Sequence, residues 1–150
     1  MQTLFDTKTH QEVLQRIKTL NPNHQPLWGK MDVNQMLNHC QRPLEIANGR
    51  LTFTEKPGFV KKILFKLYKT HMYNDKLWKP NIPTVKDFRV EEAKPFAEEQ
   101  QKLIESINEF NKKDLNLHWP KHPFFGEFNT EQWGKMQYKH LDHHLRQFGV

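Results

Sequence analysis

His140 and His144 stand four residues apart in HLDHHLRQF, the last helical stretch of the chain, so their imidazoles stack on one helix face. That spacing suits a metal ion. A third candidate, His39, lies far away in WGKMDVNQMLNHCQRP, so the fold must bring three neutral ring nitrogens together. Three imidazoles on a d-block dication leave coordination positions for water or substrate, whereas closed structural sites usually recruit four protein ligands that include thiolates. The chemistry implied is nucleophile activation, because a water or thiol bound to such an ion loses its proton near neutral pH. No residue pattern marks a separate general base.

At about 100° per residue, Trp133, Met136, His140, Leu141, His144 and Phe148 share one broad face of the final helix. Asp142 projects to the opposite side. His143 lies on the margin and is the reserve ligand. The same projection places His39 beside the main apolar stripe of its helix, on a flank with Pro43 and Ile46, where it is expected to be half-buried at best. A flank position suits a group that points into a cavity between helices. Histidines on apolar faces are also commonly hydrogen-bonded core residues. The competing reading is therefore a noncatalytic binding or stress-response module, with packing histidines or a vestigial metal site. Cys40 adjoins His39, but helix neighbours point about 100° apart, so it is expected in the core rather than on the same metal.

These residues need helices to position them. Val13, Leu14, Ile17 and Leu20 recur at helical spacing, and NPNHQP follows as a stop. A second helix opens after Asp32, a good N-cap, carries Val33, Met36, Leu37, Cys40, Leu44 and Ala47, and ends at Asn48-Gly49. Pro43 inside it removes the hydrogen bond to the carbonyl of His39 and could bend the backbone there; an ordinary tolerated proline near a helix end fits as well. A long crossover is expected from Leu51 to Pro95, where four of the nine prolines fall. Pro95 then opens a third helix with Phe96, Leu103, Ile104, Ile107 and Phe110. After the irregular, aromatic LHWPKHPFFGEFN, Asn129 or Thr130 caps the final helix, which ends at Phe148-Gly149. Four helices without strand alternation predict an all-α four-helix bundle, with a crossover between helices two and three.

A chain of 150 residues fits one domain, able to bury a core without disulfides or a structural metal. No apolar run reaches the roughly 20 residues of a membrane span, and MQTLFDTKTH lacks the apolar core of a secretory signal. A cytoplasmic protein is expected, in keeping with a single cysteine. The net charge of +6 and pI of 9.4 point weakly to acidic partners, since the lysines are spread along the chain. The one dense basic stretch is VKKILFKLYKTHMYNDKLWK, Val60 to Lys79. Within it Phe59, Ile63, Leu64, Leu67 and Tyr68 alternate with Lys61, Lys62, Lys66 and Lys69, as in a helix that touches anionic membrane or nucleic acid. The favoured reading is a packed connecting helix with a solvated lysine face, with neither nucleic acid nor stable membrane association expected. His118, Trp119, His122, Phe124 and Phe125 crowd one loop, where lining a pocket and plugging a bundle end are equally expected. Trp28 and Trp133 are read as core or pocket-wall residues.

The helix with MLNHC and the closing HPFFGEFNTEQWGKMQYKHLDHHLRQF resemble the DinB-like, YfiT-like superfamily, nearest to a subfamily with no assigned reaction. The likeness is strongest over 28–49 and 118–149 and loose in the middle third. It implies a four-helix bundle with one metal-binding histidine on the second helix and two on the last, which fall here on His39, His140 and His144. It further implies zinc, nickel or another divalent ion, a small-molecule substrate, and a homodimer. Some members of that superfamily join a low-molecular-weight thiol to an electrophile, so the resemblance implies a thiol transferase or a hydrolase, with a thiol as co-substrate.

Overall fold

The computed structural model describes residues 1–52, 58–84 and 86–150, apart from the side chains of Phe59 and Asp87. The described residues form five α-helices: α1 (Thr7–Thr19), α2 (Val33–Ala47), α3 (Phe59–Tyr68), α4 (Phe96–Asn111) and α5 (Thr130–Gln147). Two short 3₁₀ turns, Lys69–Met72 and Lys86–Phe88, lie between α3 and α4. Among the described residues there are no strands, only an isolated bridge between His122 and Gly126. The class is all-α.

Local chemistry sets the helix starts. Asp6 accepts from the Thr9 N–H at 2.8 Å. Asp32 and Gln35 form a reciprocal capping box at the start of α2, and Asn129 and Gln132 repeat it at the start of α5. Pro95 precedes α4, as its fixed φ allows. The helix α2 runs through Pro43, whose carbonyl accepts from Gln137 Nε2 at 2.8 Å.

One core unites α1, α2, α4 and α5, with Ile17, Leu37, Leu44, Ile107, Trp133 and Leu145 all but inaccessible. The helix α2 packs against both α4 and α5, and α1 against the same two. A buried carboxylate ties α2 to α4. Glu99 accepts from Asn38 Nδ2 at 3.0 and 3.1 Å, from Gln41 Nε2 at 2.8 Å and from the Lys94 N–H at 2.9 Å. These bonds replace the water that a buried carboxylate gives up. The N-terminal segment crosses α5 where the helix has no side chain: a Cβ on Gly134 would lie 2.2 Å from Thr3 Oγ1 and 2.6 Å from Phe5 Cδ2. That approach lets the Leu4 N–H donate to the Gly134 carbonyl at 3.1 Å.

The expectation that α3 packs by its apolar side is corrected. Val60 is 69 % exposed, Ile63 48 %, Leu64 59 % and Leu67 73 %. Phe65 reaches inward, 5.3 and 5.5 Å, centroid to centroid, from Phe124 and Phe125. The Phe59 side chain, read in the same stripe, lies outside the described residues.

Candidate metal centre

The helices α2 and α5 cross so that His39, His140 and His144 converge. One ring nitrogen from each lies within 4.8 Å of the others. Ring centroids are 5.0 Å apart for His39 and His140, 4.7 Å for His39 and His144, and 4.8 Å for His140 and His144. The structure thus brings together the three residues singled out by spacing. It corrects the expected half-burial of His39, which is 3 % exposed. The cover comes from the crossover. Phe88 stands edge-on to the His39 ring with centroids 6.2 Å apart.

The partners of the outer nitrogens settle the tautomers. His39 Nδ1–H donates to the Phe88 carbonyl at 2.9 Å, an acceptor that cannot donate back. Gln147 Nε2 donates to the Trp28 carbonyl at 2.6 Å, which turns Gln147 Oε1 toward His144 to accept from Nδ1–H at 2.8 Å. In both rings Nε2 is left as the lone-pair nitrogen. Fixing a ligand histidine through its other nitrogen is the usual supporting arrangement at metal sites. A buried nitrogen of the third ring, His140 Nδ1, has no such partner.

Burial holds His39, His140 and His144 below the ordinary imidazole range, and their proximity to one another pushes the latter two well down. Neutral imidazoles are what a metal requires. His39 Nε2 and His140 Nε2 are 3.1 Å apart. Two lone pairs at that distance repel unless a proton or a cation lies between them. For tetrahedral zinc with its usual Zn–N bonds the nitrogen–nitrogen edge is about 3.3 Å, so the His39–His140 pair is spaced as two ligands of such an ion would be.

His143, the reserve ligand, does not join the cluster among the described residues. It is buried, with Trp78 at 5.7 Å and Trp28 at 5.9 Å between centroids, and burial lowers its pKa. Asp142 faces away and pairs with Arg16 at 2.8 Å. Cys40 is in the core, its Sγ 3.7 Å from Met36 Sδ, and burial pushes its thiol well up. It is no nucleophile there.

Two cavities reach the cluster. One, of about 210 Å³, is walled by Phe65, Tyr68, Trp78, Phe88, Phe124, Phe125 and Met136, with His39, His122, His140, His143 and His144 also on its surface. The other, of about 540 Å³, is more polar, with Trp28, Lys30, Gln35, Arg89, Glu91 and Gln147 around His143 and His144. The aromatic loop before α5 divides its roles. Trp119 plugs, stacking near Phe5, Phe110 and Trp133 and donating from Nε1 to Thr130 Oγ1 at 2.9 Å. Phe124 and Phe125 line the smaller cavity. His118 stays exposed. His122 accepts at Nδ1 from the N–H groups of Phe124 and Phe125 at 3.2 and 3.4 Å, and burial brings its pKa down to about 3.

Sequence reasoning passed over Gln147, the Phe88 carbonyl, Trp78 and Lys139. Gln147 carried a signal, standing three residues after His144 on the same helix. Lys139 had none: its Nζ donates to the His71 carbonyl at 2.7 Å and to Asn74 O and Oδ1 at 2.9 and 2.7 Å, clamping the crossover to α5. Burial lowers its pKa to about 8.

An all-α fold with three buried histidines meeting at two cavities defines the molecule as a candidate metalloprotein. Residues 3–149 match the model of a family described as "Protein of unknown function (DUF1569)", and the chain belongs to that family. No curated protein and no solved structure matches it.

Proposed function

We propose that this protein is a divalent-metal enzyme of DinB-like type, with His39, His140 and His144 as the protein ligands of zinc or nickel. In this reading α1, α2, α4 and α5 are the bundle helices, and the chain between α2 and α4 is the crossover that closes the site. The observation that carries it is the three-nitrogen cluster, in which two rings have their outer nitrogens fixed and Nε2 turned inward. Three ligands leave a position open.

A divalent ion held there would lower the pKa of a bound thiol or water. The protein's own contribution is shape and polarity. The smaller cavity, walled by six aromatic and two thioether side chains, suits an apolar reactant next to His140. The polar cavity offers Arg89 and Lys30 to an anionic partner, such as a carboxylate-bearing low-molecular-weight thiol. Two chambers on one cluster favour transfer between two reactants over simple hydrolysis, so thiol transfer is the leading reaction. Cytoplasmic residence accords with such a thiol and with a single buried cysteine.

One observation favours a second reading, a noncatalytic module with packing histidines. Without an ion, His140 Nε2–H can donate to His39 Nε2 across the same 3.1 Å. The deciding experiment is elemental analysis of untagged protein purified without chelator, beside His140→Ala. Near one equivalent of metal, lost in the variant, supports the enzyme. Absence of metal in both after reconstitution with zinc and nickel establishes the packing role instead.

A further inference from the structure

The outer face of α3 is apolar, and nothing among the described residues covers it. At about 100° per residue, Val60, Ile63, Leu64 and Leu67 fall within an arc of about 100°. All four are exposed. Lys66 borders this arc on one side and Lys61 on the other, with Lys62 further round the helix beyond Lys66, and all three are solvent-facing. Among the described residues no carboxylate lies within ion-pair reach of them. Phe65, on the far side of the helix, anchors it to Phe124 and Phe125, so the apolar stripe is aimed away from the body.

Charge decides between occupants. From Gly58 to Lys79 the chain carries six lysines and one acid, Asp75. A second copy seated on this face would bring two lysine-bordered stripes together with no acid between them. A nucleic acid would use the lysines and leave the leucines in water. An apolar stripe bordered by lysines on both sides matches the boundary between anionic headgroups and acyl chains, where both kinds of side chain find a partner. We infer that α3 is a reversible docking surface for an anionic lipid bilayer, with Leu64 and Leu67 entering the acyl boundary and Lys61 and Lys66 meeting the headgroups. It is a peripheral attachment: no helix is long and apolar enough to cross a membrane. Because Phe65 and Tyr68 also wall the smaller cavity, seating α3 on a bilayer sets that cavity beside the lipid phase.

The test is vesicle flotation of the full chain, with phosphatidylcholine alone or with phosphatidylglycerol added as about a third of the lipid, at about 0.1 M and about 1 M salt. Binding is expected only to the anionic vesicles and only at the lower salt. Leu64→Gln with Leu67→Gln should weaken it more than tenfold. Lys61→Gln with Lys66→Gln should weaken it roughly 25-fold, at about fivefold per lysine. Glutamine keeps helix propensity, and unchanged circular dichroism verifies the fold. The inference is overturned if the wild type leaves anionic vesicles unbound, or if both double variants bind as well as it does. It is also overturned by a dimer in sedimentation that the leucine variant abolishes, or by duplex DNA binding that only the lysine variant loses. None of these readouts depends on whether the histidines hold a metal.

Discussion

The seam between α2 and α5 and the outer face of α3 use the same aliphatic side chains in opposite ways. Leu44, Met136 and Leu141 are sealed from solvent, while Leu64 and Leu67 on α3 stand in it. In the seam, two helices supply each other's cover and leave gaps only where histidines converge. At α3 Phe65 anchors the helix, and Val60, Ile63, Leu64 and Leu67 are left in solvent. The core is therefore complete without α3, and amphipathic periodicity alone does not reveal which way a helix turns its apolar side.

The strongest way to break this contrast is to truncate a leucine on each side. Leu44→Ala should cost about 2–5 kcal/mol in urea unfolding, because the cavity left at a packed site adds to the lost transfer energy. A smaller value would mean that the seam is as loose as α3. Acid sharpens the contrast next. His122 is held neutral with a pKa near 3 in the folded state, against 6.5 for the free group. The unfolded chain thus binds more protons below pH 6.5, so stability is full above that value and falls as pH drops from 6.5 toward 3. The slope approaches about 1.4 kcal/mol per pH unit for His122 alone. His39, His140 and His144 act in the same direction in metal-free protein. Chemical denaturation of chelator-treated protein across this range, with His122→Gln removing one proton from the slope, checks the sign and the size.

A finer probe separates support from coordination. Gln147→Leu keeps all three proposed ligands but deletes the acceptor at His144 Nδ1. Metal affinity should fall about 10–100-fold, read by competition with a chromophoric chelator. Gln147→Glu, which retains an acceptor, should lose less. The smallest effect belongs to Leu67→Ala, expected within about 0.5 kcal/mol of wild type in the same urea assay. A loss comparable to that of Leu44→Ala would show that α3's outer face is covered in solution.

Much of the helical framework is legible because it repeats. The ladders through Val13, Leu44, Ile107 and Trp133 follow the 3.6-residue period, and Asp32 and Asn129 announce their helices through side chains that bond only their own neighbours. His140 and His144 are legible for the same reason. The burial of His39 is not, because its cover comes from Phe88, 49 residues away along a crossover with little periodicity. The direction of α3 escapes as well. Its wheel shows an apolar arc and a lysine arc, and only the meeting of Phe65 with Phe124 and Phe125 decides which side faces the protein. The aromatic loop is partly legible: its composition signals burial, but its split between plug and cavity wall depends on the path between His122 and Gly126.

Gly29 shows how tightly the support of His144 is built. Its φ is +86°, and a Cβ there would lie 2.6 Å from Gln147 Nε2. Any side chain would meet both strain in the left-handed region and the amide that orients His144.

What fixes the outer nitrogen of His39 is a peptide carbonyl, that of Phe88, whose phenyl group covers the ring edge-on. A scan replacing side chains one by one along the crossover would leave that oxygen where it is and miss what it does. The dependence surfaces only when the path itself changes, by deleting a residue between Asn81 and Phe88 or by replacing the amide after Phe88 with an ester, whose carbonyl is a poorer acceptor. In this molecule, the path of the loop as well as its composition bears on how one of the three imidazoles is aimed.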